Sequence, residues 1–168
     1  MKTERKTIVM KTYYYRVFAD YFEFELLDDG TMLPIDSFNA ETLPDRVVAS
    51  PGAIGVATVR NYHVPVVIQI LANGKIDQSL ALDTWDHIVE CSIEITTGRL
   101  VVFGATDYYP DAPRIPIAPG CYHVTIFFGG LNTLDKGGLH GEDVYLVMLQ
   151  PGQATETRVI KRFTASTS

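Results

Sequence analysis

Carboxylates and histidines are the residues of this chain whose types could carry chemistry, and neither set takes a recognised catalytic spacing. Glu23 and Glu25 stand two apart and Glu90 and Glu94 four apart, in runs whose alternate positions are apolar. Glycoside hydrolysis uses two such carboxylates, one as acid and one as base or nucleophile. Even spacing along a strand, however, puts the members of each set on one side, which is what a solvated strand face produces by itself. The solvated face is the reading adopted. His63, His87, His123 and His140 match neither HExxH nor any compact ligand spacing, and no paired CxxC occurs. His87 and His123 fall in alternating runs where they could meet across a sheet and hold a metal with Asp83 or Asp86. Polar positions on a β surface are the simpler account, so no metal and no cofactor is expected.

Nucleophile and phosphate signatures are missing as well. There is no GxSxG, and Gly129, Gly130, Gly137, Gly138 and Gly141 surround Leu131–Lys136 without forming GxxxxGK[ST] or GxGxxG. Cys91 and Cys121 lie in apolar runs that raise a thiol pKa. They would form a cross-strand disulfide or stay free. Free thiols are favoured because MKTERKTIVM carries charge where a signal peptide needs its apolar core, and the default location is a bacterial-type cytosol, hence cytoplasmic. The Tyr13-Tyr14-Tyr15-Arg16 cluster offers an aromatic platform, but alternation leaves at most two of the three rings on one face. Asp107, Tyr108, Tyr109 and Asp111 form a loop of two carboxylates and two aromatics around Pro110. Calcium ligation or sugar stacking is conceivable there, and an interaction loop is expected.

The elements that must position these groups are strands. Phe22, Phe24 and Leu26 alternate with Glu23 and Glu25, and Val89, Cys91, Ile93 and Ile95 with Glu90, Ser92 and Glu94. Tyr13–Phe18 suits a strand that turns back near Ala19-Asp20. Ile54–Arg60 with Val64–Ala72 reads as a hairpin, Pro65 marking an edge or bulge and Asn73-Gly74 a tight turn. His87–Ile95, Thr97-Gly98 and Arg99–Gly104 make the clearest hairpin. Tyr122, Val124, Ile126 and Phe128 alternate in another strand, and the nearly continuous apolar run Val144–Leu149 suits a central one. Val47-Val48 and Arg158–Phe163 add short strands. Helix is confined to short pieces near Asp36–Leu43 or Trp85. The pattern predicts an all-β, antiparallel, jelly-roll-like sandwich of about 9–11 strands. One domain over residues 1–168 is expected, with the first few residues and 164–168 disordered.

Charge is uneven along the 168 residues, whose formal net charge is −6. Asp20, Glu23, Glu25, Asp28, Asp29, Asp36, Glu41 and Asp45 form a block without Lys or Arg, as do Asp77, Asp83, Asp86, Glu90 and Glu94. Basic residues gather at Lys2–Arg16 and Arg158–Arg162. Phosphate neutralisation needs clustered cations, so direct nucleic-acid binding is disfavoured. No apolar run reaches the ~20 residues of a membrane span.

The segments WDHIVECSIEITTGRLVVFGATDYY, IPIAPGCYHVTIFFGGL and DVYLVMLQPG resemble the competence protein J family over Trp85–Gly152. The shared pattern is a strand pair around a Gly turn, an Asp-Tyr loop, a Pro-Gly before Tyr-x-Val, and a closing strand before Pro-Gly. At Met148-Leu149-Gln150 this chain lacks the aromatic that the pattern leads one to expect. Members of that bacterial family resemble the inhibitor partner of a DNA-entry nuclease. The resemblance implies a protein-binding module and transfers no site residue. Together with the acidic blocks it yields the functional expectation: a non-enzymatic inhibitor or immunity-like partner of a basic, nuclease-type enzyme. Its contacts would be Glu23, Glu25, Glu90 and Glu94 on one acidic sheet face, with Asp107, Tyr108, Tyr109 and Asp111. A small metal- or carbohydrate-dependent enzyme or ligand-binding sandwich is the alternative. Homo-oligomerisation would use edge strands near Pro65 and Arg158.

Overall fold

Alternating apolar residues become strands throughout the computed structural model, which describes residues 9–72 and 82–165. The strands are β1 (Val9–Phe18), β2 (Glu23–Asp28), β3 (Val47–Ser50), β4 (Ala53–Ala57), β5 (His63–Leu71), β6 (His87–Ile95), β7 (Arg99–Gly104), β8 (Arg114–Pro116), β9 (Gly120–Gly129), β10 (Val144–Pro151) and β11 (Arg158–Lys161). Among the described residues, helix is limited to short 3₁₀ turns at Asp20–Phe22, Leu43–Asp45 and Tyr109–Asp111. A six-stranded sheet runs β1-β5-β10-β9-β6-β11 and a five-stranded sheet β3-β4-β2-β7-β8. Pairing is antiparallel except between β5 and β10, which run parallel. The expected turn at Asn73-Gly74 lies outside the described residues, as do the first few residues and Ser166–Ser168 of the tail.

The two sheets face each other over one apolar core. Phe24, Leu26, Ile54, Val56, Leu100 and Val102 come from the smaller sheet; Val66, Ile68, Val89, Ile93, Val124, Ile126, Tyr145 and Val147 come from the larger. All are at most 1% exposed, so each contributes close to the full ~1.5–3 kcal/mol of a buried apolar side chain. Cys91 faces this core and burial lifts its thiol to about 12, whereas Cys121 points outward from β9; both are free thiols.

The three expected hairpins are corners between sheets. The chain leaves β1 in the larger sheet and enters β2 in the smaller one through Tyr21 and Phe22, both left-handed at φ 58° and 60°. It returns from β4 to β5, and crosses again from β6 to β7 at Gly98, whose φ of 75° favours glycine. Asp28 fixes this last corner. Its Oδ2 accepts from Thr96 N (3.1 Å) and Oγ1 (2.6 Å), its Oδ1 from Thr97 N (3.1 Å) and Oγ1 (2.6 Å). Burial alone would raise the Asp28 carboxyl; these four hydrogen bonds outweigh it and hold the pKa below the usual value.

Consecutive pairing occurs instead at β3–β4, β7–β8 and β9–β10. β10 does lie inside the larger sheet, and β11 does close its edge against β6. Pro65 is not at an edge, because β1 covers β5; pairing with β10 begins one residue later, at Val66, so the missing N–H is tolerated.

Candidate functional site

Alternation places Phe24 and Leu26 in the core and turns Glu23, Glu25 and Leu27 to the outer face of the smaller sheet. Across that face the register sets Val48, Gly55, Glu25 and Phe103 side by side, one from each of four strands. Glu25 is thus the one charge in an apolar row. The segment 31–45 folds over the row. A Cβ on Gly55 would meet Leu33 Cδ2 at 2.7 Å and Phe38 Cε2 and Val48 Cγ2 at 3.0 Å, so the glycine is what lets this segment seat.

Beneath and beside the segment runs a groove made of three adjoining cavities. The first, of 610 Å³, is lined by Phe22, Glu23, Phe38, Leu43 and Arg46 among others. The second, of 310 Å³, shares Glu23 and Phe38 with it and adds Glu25, Leu33 and Asp36. The third, of 330 Å³, shares Glu25 and Leu33 and continues past Met32, Phe103 and Tyr109. Large apolar side chains stand exposed along its rim: Ile35 at 91%, Met32 at 81%, Tyr21 at 75% and Leu43 at 54%.

Neither groove glutamate has an ion pair among the described residues. Both are half-buried. Burial raises the Glu23 carboxyl, and burial together with the charge of Glu23 pushes Glu25 up to about 7. Arg46, the cation that also lines the groove, lies over the Phe163 ring at 5.4 Å.

The expected contact residues divide into two groups. Glu90 and Glu94 project from the outer face of the larger sheet, because β6 belongs to that sheet and β2 to the other. Glu90 pairs there with Arg158 at 3.0 Å. The expectation of one face shared by all four glutamates therefore does not hold. The loop residues lie on the Glu25 side and are largely structural. Asp107 Oδ2 accepts from Gly104 N at 2.8 Å. Tyr109 packs on Phe103, donates to Asp29 Oδ1 at 2.7 Å and accepts from Gly30 N at 2.7 Å, with Arg114 over its ring at 4.9 Å. Asp29, bonded by Arg99 and then Tyr109, drops to about 2. Tyr108 and Asp111 are exposed.

His87 and His123 cannot meet: His87 lies at the core, ring against Phe128, while His123 points outward from β9. Phe163 N donates to His87 Nδ1 at 3.0 Å, so Nε2 carries the proton and donates to Asp45 O at 2.8 Å. Among the described residues no three His, Cys, Asp or Glu side chains are grouped as metal ligands, and no helix is long and apolar enough to cross a membrane.

One solved structure shares this architecture. The crystal structure of ComJ, inhibitor of the DNA degrading activity of NucA, from Bacillus subtilis, matches at a TM-score of 0.63 and 12% identity, covering 88% of this chain and 100% of that one. This chain has the ComJ fold. The pattern seen over Trp85–Gly152 thus extends, at the level of fold, to most of the molecule. A protein described as Crocagin biosynthetic gene J also matches, at a TM-score of 0.46 and 10% identity over 84% of this chain and 96% of that one. No family model and no curated protein matches the sequence.

Reading the sequence alone misses the segment 31–45 as part of a site, since its prolines and polar residues read as a plain loop. A signal was present: Met32, Leu33, Ile35 and Phe38 are more apolar than a solvated loop requires.

Proposed function

We propose that this protein is a non-enzymatic inhibitor that acts by binding a nuclease of the NucA kind. The observation that carries the reading is the fold shared with ComJ over 88% of the chain. The outer face of the smaller sheet supports it, because unpaired carboxylates among exposed apolar side chains suit contact with a cationic protein surface. A nuclease must present cations to DNA, and a protein that occupies them competes with phosphate.

The test is a plasmid-degradation assay with NucA and increasing amounts of this protein. Cleavage should fall to background near one molar equivalent, and the protein alone should leave the plasmid intact. Undiminished cleavage at a large molar excess would overturn the reading.

A further inference from the structure

We propose that the groove between β2 and the segment 31–45 is the docking surface, and that its occupant is a Lys or Arg side chain carried on an apolar segment of the partner protein. The assignment rests on the inhibitor reading for the kind of partner, and on the groove itself for the chemistry of the contact.

Three features fix that chemistry. First, the cavities adjoin in a row, sharing Glu23 and Phe38 at one boundary and Glu25 and Leu33 at the other. Second, the groove's lining is net negative, with three carboxylates against one guanidinium and no ion pair between them. Glu23 and Glu25 come from adjacent outward positions of β2, Asp36 lies opposite on the covering segment, and Arg46 is stacked on Phe163. Tyr109, which lines the third cavity, is committed to Asp29, and Tyr21, which lines the first, stands exposed at the rim. Third, the rim is apolar, with Met32, Ile35, Leu43 and Tyr21 turned to solvent. A cation entering the floor regains ion pairing for both glutamates, while apolar residues flanking it cover the rim and exclude water, the arrangement typical of a charged anchor in a desolvated setting. By contrast, on the opposite sheet Glu90 is already paired with Arg158.

Entry of the cation must also return Glu25 to its charged form. Its carboxyl, held near 7 by burial and by Glu23, should release a proton when a Lys or Arg arrives.

Two measurements test the assignment. The first is an NMR titration of the whole protein with the peptide Ac-Leu-Lys-Leu-amide, using Ac-Leu-Gln-Leu-amide as control. The lysine peptide should perturb amides of β2 and residues 31–38 and shift the Glu25 carboxyl titration to lower pH; the glutamine peptide should do neither. Perturbation elsewhere, or none, would overturn the proposal. Amide shifts in the same groove that grow with protein concentration alone would also overturn it, giving the groove to a second copy of the chain. The second compares inhibition of NucA by variants. Combined Glu23→Gln and Glu25→Gln should lose at least tenfold in potency, and combined Glu90→Gln and Glu94→Gln should lose none. Equal potency of the two variants would place the contact elsewhere and leave the inhibitor reading intact. Failure of the wild-type protein to inhibit NucA, with the peptide titration as expected, would remove the nuclease and keep the groove.

Discussion

Glu25 of β2 lies directly across from Gly55 of β4, and the space that the missing Cβ leaves is filled by Leu33 and Phe38 of the covering segment. One backbone position therefore controls both the seat of the segment and the burial of the carboxylate beside it. Gly55→Ala should push Leu33 and Phe38 outward and cost about 1–3 kcal/mol, the usual range for overpacking. The same change should lower the Glu25 pKa by admitting water. Denaturant unfolding and carboxyl NMR read the two effects. A variant as stable as the parent, with the pKa unmoved, would separate the segment from the carboxylate.

The raised Glu25 pKa has a definite sign for stability. The folded state keeps its proton up to about pH 7, whereas the unfolded chain gives it up near the ordinary value of 4.5. Its destabilising effect is nil below 4.5, grows between 4.5 and about 7, and is complete above that. Glu25→Gln should therefore raise the melting temperature at pH 8 and leave it nearly unchanged at pH 4. Glu23→Gln should lower the Glu25 titration by removing the neighbouring charge.

How much of this was readable from residue order depends on range. Strand positions follow from side-chain alternation, a local property, and Phe24/Glu25 or Val89/Glu90 reveal which side chains turn inward. Partners are another matter. Thr97-Gly98 does turn the chain, yet a turn that folds a strand onto its neighbour and one that carries it to the opposite sheet begin with the same residues. What separates them here is the long-range clasp of Asp28 on Thr96 and Thr97. Because β1–β2, β4–β5 and β6–β7 all cross in this way, Glu23 and Glu25 end on one outer face and Glu90 and Glu94 on the other. The groove was illegible for a related reason: it requires Leu33 and Phe38 to meet Gly55, a contact that periodicity does not encode.

That clasp is itself testable. Asp28→Ala removes the charged acceptor of two backbone N–H groups and two hydroxyls, and should cost roughly 1.5–3 kcal/mol on the scale of hydrogen bonds to a charged group. The Asp28 pKa lies below its unfolded value, so its contribution is present at neutral pH and lost as pH falls through the folded pKa. Acid unfolding midpoints of parent and Asp28→Asn, compared by circular dichroism, check the sign; parallel pH profiles would contradict it.

His87 should behave as a neutral, structural ring. Burial lowers its pKa, outweighing the bond to the Asp45 carbonyl, and both ring nitrogens are engaged. As pH falls below about 6.5 the unfolded chain takes up a proton that the folded ring refuses, so stability drops with acidification through this group. His87→Gln should flatten that part of the profile. An NMR titration that places the folded His87 pKa above the ordinary histidine value would refute the assignment.

The proposed contact with a nuclease would use the outer face of the five-stranded sheet. Hydrogen–deuterium exchange of the complex with NucA addresses it most directly. Protection is expected over residues 31–45 and β2, with β6 and β11 exchanging as in the free protein. Protection confined to β6, β9 and β11, or no protection at all, would contradict the account.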